Sequence, residues 1–479
     1  MSEKSEKQST NRWIPADSRS REDPRDIKIR KLEAKISELK AIIAELTEKI
    51  AKLTKNSSNS SKPPSSDIVS PPKSPDKRKK RKQGAQKGHK RNLRPAFEPE
   101  QIDEIVKTAL DKCPSCGGVL TPTDKPAKVH QQIELALNPF RVTEYRQKCY
   151  WCEHCGTYHY APLPEETIPG LFGPKMKALS AWMKGCGHLS FTTLRRFISA
   201  MFHIDVSTGY LAKIVREVSD SMKLPYDELT TAIQNEEHVH LDETGSKENG
   251  KKRWIWAGRA TTFTVFKVDP SRGSEVLTEL LGKEFSGIIS CDFFGAYKKF
   301  AKMAPCQLQF CWAHIIREFR FLAENENRKV ANYGKRIVRK IQEMFSMIHL
   351  RDSMTEMKWK RRMNIQKKKL LKSLQWGVPD DKDASNLVKR LQKYEEEYFR
   401  FIHHPIPPTN NPAEQTIRKV VLDRKVTQGT RSDWGNRWLE RFWSIQTTCE
   451  QQGRNLLDYM TQTLVHYLHG TAAPSPIYS

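Results

Sequence analysis

The first pattern along the chain is a three-four alternation of apolar residues: Ile29, Leu32, Ile36, Leu39, Ile43, Leu46, Ile50 and Leu53. This spacing predicts a coiled coil over residues 27–55, after a polar tail over 1–26. Isoleucine at every a position and leucine at every d position favours two strands, hence a dimer. Lys35 at g would face Lys40 at e of a parallel partner, so the flanking charges specify strand direction poorly. Periodicity then vanishes over 56–95, a Ser/Pro linker followed by a basic stretch. Helical spacing returns over 173–223, where Leu194, Phe197, Ile198 and Met201 form one stripe and Ser207 is placed to cap the next helix. This segment reads equally as a helix-turn-helix or as a plain helical pair packed on the next domain.

From residue 237 the period shortens to that of strands. EHVHLDETG reads as a short strand ending at Asp242, with RWIWAGRA and TTFTVFKVD as two more. SEVLTELLG is helical, SGIISCDFFGAY is a fourth strand ending at Asp292, and QLQFCWAHIIREF passes from strand to helix. A long helical insert is expected over about 320–400 and a helical tail over 446–479.

Charge adds a partner to this outline. The 479 residues carry 82 Lys and Arg against 56 Asp and Glu, a net charge of +26, and the mean hydropathy is −0.69. Such an excess makes an acidic polymer the expected partner, nucleic acid before anionic membrane. No run approaches the roughly 20 apolar residues of a membrane span, and MSEKSEKQSTNRW lacks the apolar core of a secretory signal. The charge is uneven. Residues 77–94 hold ten basic residues and no acid, among them Lys77, Arg78, Lys79, Lys80, Arg81, Lys82, Lys87, Lys90 and Arg91. A second excess, nine basic residues against two acids, lies between Arg351 and Lys372 beside Trp359 and Trp376. Both are candidate contacts to the DNA backbone, which would be salt-sensitive and carry no sequence information.

Two of the chemical motifs are cysteine knuckles, Cys113-Pro-Ser-Cys116 and Cys152-Glu-His-Cys155, each followed by glycine. Each knuckle sets two thiolates on one side of a tight turn, and two knuckles complete a tetrahedral Zn²⁺ shell. The alternating stretch between them, HQQIELALNPFRVTEYRQKCY, suits the hairpin of a zinc ribbon over residues 96–165. Cys149, His154 and His159 lie close by, so the ligand choice is open. A four-thiolate site is closed to substrate and structural.

The other chemistry is carboxylate. If the first and fourth strands lie side by side, as in an RNase H-like fold, Asp242 and Asp292 can share a Mg²⁺ or Mn²⁺ ion. Paired ions of this kind polarise both the attacking and the leaving oxygen of a phosphodiester. A third acid is expected on a helix after the sheet. In TNNPAEQTIR, Asn411 suits an N-cap and Pro412 the first helical position, which puts Glu414 at the capping-box position. Local sequence explains Glu414 as a capping residue; the need for a third carboxylate favours it as a ligand, with Glu440 and Glu318 as substitutes.

The ordered set of motifs resembles the DDE-type transposases of the insertion-sequence-66 family. The resemblance runs from the coiled coil, SSNSSKPPSSD, GAQKGHK and CPSCGG…CEHCG through GHLSF, HLDETG, CDFFGAY, CWAHIIREF and NNPAEQTIR to the helical tail. It implies that Asp242, Asp292 and Glu414 form the DDE triad, with the 121 residues between the last two holding a helical insert. Cys311 and His314 match a C-x-x-H signature of related transposases, which implies a place near the metal site. Ser190 stands where the family usually has Pro, and Phe293-Phe294 where Gly-Tyr is commoner; both touch packing more than chemistry.

The resulting expectation is a multidomain chain: tail 1–26, coiled coil 27–55, linker and basic segment 56–95, zinc-binding module 96–165 and helical DNA-binding segment 166–230. An α/β RNase H-like catalytic core over 231–445, carrying the insert, and the tail 446–479 complete it. The resemblance implies a cytoplasmic, nucleoid-associated bacterial protein, a homodimer or larger, acting on the inverted repeats of its element and on target DNA, with element-encoded accessory proteins as further partners. The alternative is a non-catalytic, zinc-containing dimeric DNA-binding protein derived from a transposase.

Overall fold

The computed structural model describes residues 31–39, 42 and 96–477, apart from 108, 111–113, 120, 122–128, 134, 136–138, 165–166 and 169. The chain divides into two units, residues 1–64 and 65–479. In the first, residues 31–39 are helical, and the heptad residues Leu32, Ile36 and Leu39 are exposed. Ile29, Ile43, Leu46, Ile50 and Leu53 lie outside the described residues, as do the basic residues from Lys77 to Arg91 and Cys113.

In the second unit, β1 (Cys149–Cys152) and β2 (Thr157–Tyr160) form an antiparallel hairpin around the second knuckle. The stretch between the knuckles joins this hairpin only at its end, through Cys149 and Tyr150; none of the described residues from 130 to 147 is in a strand. The apolar side chains that suggested it, Ile133, Leu135 and Val142, are about two-thirds or more exposed, so no core rewards that alternation. Four helices follow: α1 (Pro174–Gly185), α2 (Phe191–Phe202), α3 (Thr208–Ser221) and α4 (Lys223–Ala232). The Ser190 and Ser207 hydroxyls cap α2 and α3, accepting from the N–H of Thr193 and Tyr210. The apolar stripe of α2, with Leu194 and Ile198 at its centre, faces α3 and the rest of the core.

The central sheet has the order β5-β4-β3-β6-β7. It consists of β3 (His238–Glu248), β4 (Lys251–Arg259), β5 (Thr264–Asp269), β6 (Ile288–Cys291) and β7 (Gln307–Phe310), with α5 (Ser274–Leu281) and α6 (Gly295–Phe300) in the connections. The first three strands form an antiparallel meander, and β6 and β7 add in parallel to β3. The first and fourth strands of this sheet are therefore neighbours. β6 is buried along its whole length, as a parallel strand covered on both faces must be. β3 does not end at Asp242: it runs six residues further, paired with β4 out to the turn at Asn249-Gly250.

Beyond β7 come α7 (Trp312–Ala323), α8 (Arg328–Ile348), α9 (Glu356–Gln375), α10 (Lys382–Lys393) and α11 (Glu395–Phe399). Trp359 is fully buried at the α8–α9 contact and donates its indole N–H to the Met347 carbonyl at 3.0 Å. Trp376 is 70% exposed, with Arg336 stacked on its ring at 4.6 Å. The basic stretch thus mixes an inward anchor with an outward charged face.

Three helices close the chain: α12 (Asn411–Thr427), α13 (Asp433–Gln451) and α14 (Leu456–Leu468). α13 lies along the free edge of β5. Glu440, Ser444 and Thr448 accept from the backbone N–H of Val268, Phe266 and Thr264 at 2.7, 2.8 and 3.1 Å. Four helical residues rise about 6 Å, close to the roughly 6.8 Å spanned by two strand residues. Side chains at i, i+4 and i+8 therefore meet every second N–H of the strand. The edge is sealed without another strand. A boundary at 445/446 would cut through this helix. Glu440, a substitute for the third acid, is committed here and pairs with Arg437, while Glu318 pairs with Arg390.

The backbones of α7 and α8 approach closely at Gly334. A Cβ on Gly334 would lie 2.4 Å from the Ala323 nitrogen and 2.7 Å from the Leu322 carbonyl carbon, both backbone atoms. Gly334→Ala must push the two helices apart, and overpacking of this kind costs about 1–3 kcal/mol. Chemical denaturation should show the loss, and an unchanged midpoint would contradict the crossing described here.

Candidate active site

Alternation along β3 sets His238, His240 and Asp242 on one face of the sheet and Val239, Leu241 and Glu243 on the other. Asp292 follows the last residue of β6, next to β3. Its carboxylate accepts the Phe294 N–H at 2.9 Å, an Asx turn that starts the chain toward α6. Glu414 lies in the first turn of α12, a helix packed across β3 and β4. The three acids come from distant parts of the chain yet act on one another. Burial raises the Asp242 carboxyl well above the ordinary aspartate range, helped by the nearby charges of Glu243, Glu414 and Asp292. Against these stands the Glu243 N–H, donated to Asp242 at 2.9 Å.

Glu414 does not hold the capping position expected of it. The N-cap is Asn410, one residue earlier than predicted, and its side chain makes no capping bond. It points into the sheet instead, donating from Nδ2 to the Leu241 carbonyl at 2.6 Å and meeting His240 Nδ1 through its Oδ1 at 2.9 Å. An amide oxygen only accepts, so Nδ1 of His240 carries the proton. Burial depresses His240 to about 3, with the neighbouring His238 adding to the effect, and the ring is neutral with Nε2 bare. The Asn410 backbone N–H donates to Cys311 Sγ at 3.0 Å. One buried residue thus ties together β3, the start of α7 and the start of α12.

Cys311 is the N-cap of α7 and is buried, which pushes its thiol up to about 12. One turn on, His314 Nε2 lies 3.2 Å from Glu414 Oε1. Cys311, His314 and Glu414 form one group whose ligand atoms all lie within 4.8 Å of one another.

On the opposite face of β3, the Glu243 side chain is only 2% exposed. It is held by Arg272 Nη2 at 2.7 Å and Nε at 2.9 Å and by the Tyr297 hydroxyl. Arg272 in turn packs over Trp254 and Phe294, its guanidinium carbon 4.6 and 4.0 Å from the ring centroids. Sequence reading overlooked both Asn410 and this buried ion pair. The signal for Glu243 was there, an acid next to Asp242 and hence on the other face of the strand. The signal for Asn410 was the doubled Asn before Pro.

In the cysteine-rich module, Gly117 and Gly156 adopt φ of 72° and 60°, the left-handed turn that a knuckle needs after its second cysteine. Cys152, Cys155 and His159 form a second group with ligand atoms within 4.8 Å, and His159 Nε2 is 3.3 Å from Cys155 Sγ. Hydrogen bonds from Cys155 and from the His154 N–H lower the Cys152 thiol. Cys116 and Cys149 are exposed.

Residues 169–437 match the model of the transposase IS66 family, a span that runs from the helices before β3 to the start of α13 and contains all three acids. The chain belongs to the IS66 transposase family. A transposase-like function follows from that membership, and with it an association with DNA and a divalent metal. Residues 14–95, the heptad and basic stretch, match a family of unknown function, DUF6444. An uncharacterized protein of Sinorhizobium fredii (strain NBRC 101917 / NGR234), y4qI, is 23% identical over 409 residues, covering 78% of this chain and 74% of that protein. Among the described residues of this IS66-family chain, no helix is long and apolar enough to cross a membrane.

The raised Asp242 has a consequence for stability. The folded state holds this proton more tightly than the unfolded chain does. Its contribution is therefore full below the ordinary aspartate pKa and is lost as pH rises through the raised folded value. Near pH 7, without divalent ions, Asp242→Asn should raise the melting midpoint by roughly 2 °C or more. Added Mg²⁺ should raise the wild type and leave the variant nearly unchanged. A destabilised variant in metal-free buffer would contradict the crowding of charge described above.

Proposed function

We propose that this chain is a DNA transposase that cleaves and joins phosphodiesters at the inverted terminal repeats of a bacterial insertion sequence, with Asp242, Asp292 and Glu414 as the DDE triad. The observation that carries the reading is the placement of Asp242 on β3, Asp292 at the end of the neighbouring β6 and Glu414 on the helix packed across β3, with the charges of the latter two felt at Asp242. The sheet order supports an RNase H-like core.

The donor set fits a hard divalent ion. Its ligands are carboxylate oxygens, and the charge that crowds Asp242 is of one sign. Asp242, Asp292 and Glu414 would hold Mg²⁺ or Mn²⁺. When bound, such an ion lowers the pKa of the attacking water or 3′-hydroxyl and neutralises charge on the leaving oxygen. The residues of the chain do the positioning. The Asx turn orients Asp292, the Glu243 N–H orients Asp242, and His314 steadies the Glu414 carboxylate through Nε2. Asn410 fixes the entry of α12 and thereby the direction from which Glu414 approaches.

DNA would be gripped by basic segments outside the core. The stretch from Lys77 to Arg91 and the exposed face of α9 supply phosphate contacts, and the coiled coil pairs two protomers so that both element ends are held. Cys113, Cys116, Cys152 and Cys155 would hold a structural Zn²⁺. The close approach of His159 to Cys155 makes this histidine the competing fourth ligand. Element-encoded accessory proteins are further expected partners, with the nucleoid as the place of action.

Strand transfer in vitro with a terminal-repeat substrate tests the assignment. Asp242→Asn, Asp292→Asn and Glu414→Gln should each lose at least about a hundredfold in rate with Mg²⁺, the loss expected when several kcal/mol of transition-state stabilisation disappear. Full activity in any one of them removes that residue from the triad. Salt-sensitive DNA binding by a wild type that neither cleaves nor joins would instead give the non-catalytic DNA-binding protein.

A further inference from the structure

We propose that Cys311, His314 and Glu414 form a binding site for a thiophilic divalent cation of the zinc class, sharing Glu414 with the carboxylate site. Cys311 and His314 stand one turn apart at the start of α7, and Glu414 reaches them from α12. The 3.2 Å between His314 Nε2 and Glu414 Oε1 is close to the ligand–ligand separation of a tetrahedral shell. Zinc–nitrogen and zinc–oxygen bonds of about 2.0–2.1 Å imply a separation of roughly 3.3 Å. A cation there takes the place of the hydrogen bond with little movement.

Burial keeps the free Cys311 thiol protonated, so a cation has to displace that proton. Cys311 Sγ receives the backbone N–H of Asn410 at 3.0 Å. An N–H donated to the sulfur stabilises a coordinated thiolate. Three protein ligands leave one corner of a tetrahedral shell open, beside the His314 side chain, 36% exposed, and that of Glu414, 15% exposed. A water or a DNA oxygen can complete the shell from there. Binding releases the thiol proton to solvent, and the imidazole coordinates through Nε2 with its proton on Nδ1.

Ligand chemistry separates the two sites. Mg²⁺ takes oxygen donors and has little affinity for sulfur, whereas an S/N/O set selects zinc-class ions. A zinc-class ion on this group would draw Glu414 away from Asp242 and Asp292 and so inhibit cleavage in the presence of excess Mg²⁺. That consequence rests on the role proposed above for Glu414; the binding itself does not.

Cobalt(II) titration of the full chain without DNA reads the site directly, through the thiolate-to-cobalt charge-transfer band. Cys311→Ser should bind one cobalt fewer than wild type and lose part of the band, while the knuckle cysteines keep theirs. His314→Gln, at a more exposed position, should keep the fold and weaken that one cobalt by at least about tenfold. Asp242→Asn should keep the full band, so a failed cleavage assay and a failed metal site are told apart. The proposal is overturned if wild type and His314→Gln bind cobalt with equal stoichiometry, affinity and band intensity; should Cys311→Ser not fold, this comparison alone decides.

Discussion

Asp242 is held where burial and the nearby charges of Glu243, Glu414 and Asp292 all oppose its ionisation, and the elements around it have to be fastened against that opposition. The residue that makes this possible is Asn410. Its amide joins the Leu241 carbonyl and the His240 ring on β3, and its backbone N–H joins Cys311 at the start of α7. The Leu241 carbonyl and His240 Nδ1 would each lose this partner if the amide were lost, and a buried polar group left unpaired costs about 1–3 kcal/mol. The clamp keeps α12 across the sheet although the Glu414 charge it carries opposes ionisation of Asp242.

The two faces of β3 divide the labour. One carries Asp242 toward Asn410 and α12. The other carries Glu243 into a closed pair with Arg272 and Tyr297, roofed by Trp254 and Phe294. Glu243 is 2% exposed and Arg272 39%, so losing Arg272 would leave a buried carboxylate without its charge partner, which is costly. The pair ties this face of β3 to the loop after β5 and, through Tyr297, to α6. Along the far edge, α13 seals β5 with three side-chain acceptors, so the strand order cannot extend.

Much of this was legible in the sequence because strand period and strand order are local signals. The run IISC before Asp292 reads as an apolar strand, and the strand–helix series, taken as RNase H-like, sets it beside HVHLD. The distance from Asp292 to Glu414 was bridged only by family resemblance, since nothing local distinguishes Glu414 from a capping residue. The one-residue error in the start of α12 has a physical cause. Both Asn410 and Asn411 suit an N-cap by propensity, and only the buried partners on β3 decide that Asn410 turns inward. Alternation in HQQIELALN has a similar limit: it signals a strand only where one face has something to pack against, and Ile133 and Leu135 are exposed.

The central claim is that these three carboxylates converge to hold a divalent ion. Anomalous diffraction from crystals of the full chain grown with Mn²⁺ tests it most directly. The account predicts a manganese peak bounded by Asp242, Asp292 and Glu414, lost in Asp242→Asn. Manganese bound elsewhere, or a peak at this place that persists without the Asp242 carboxylate, would contradict it.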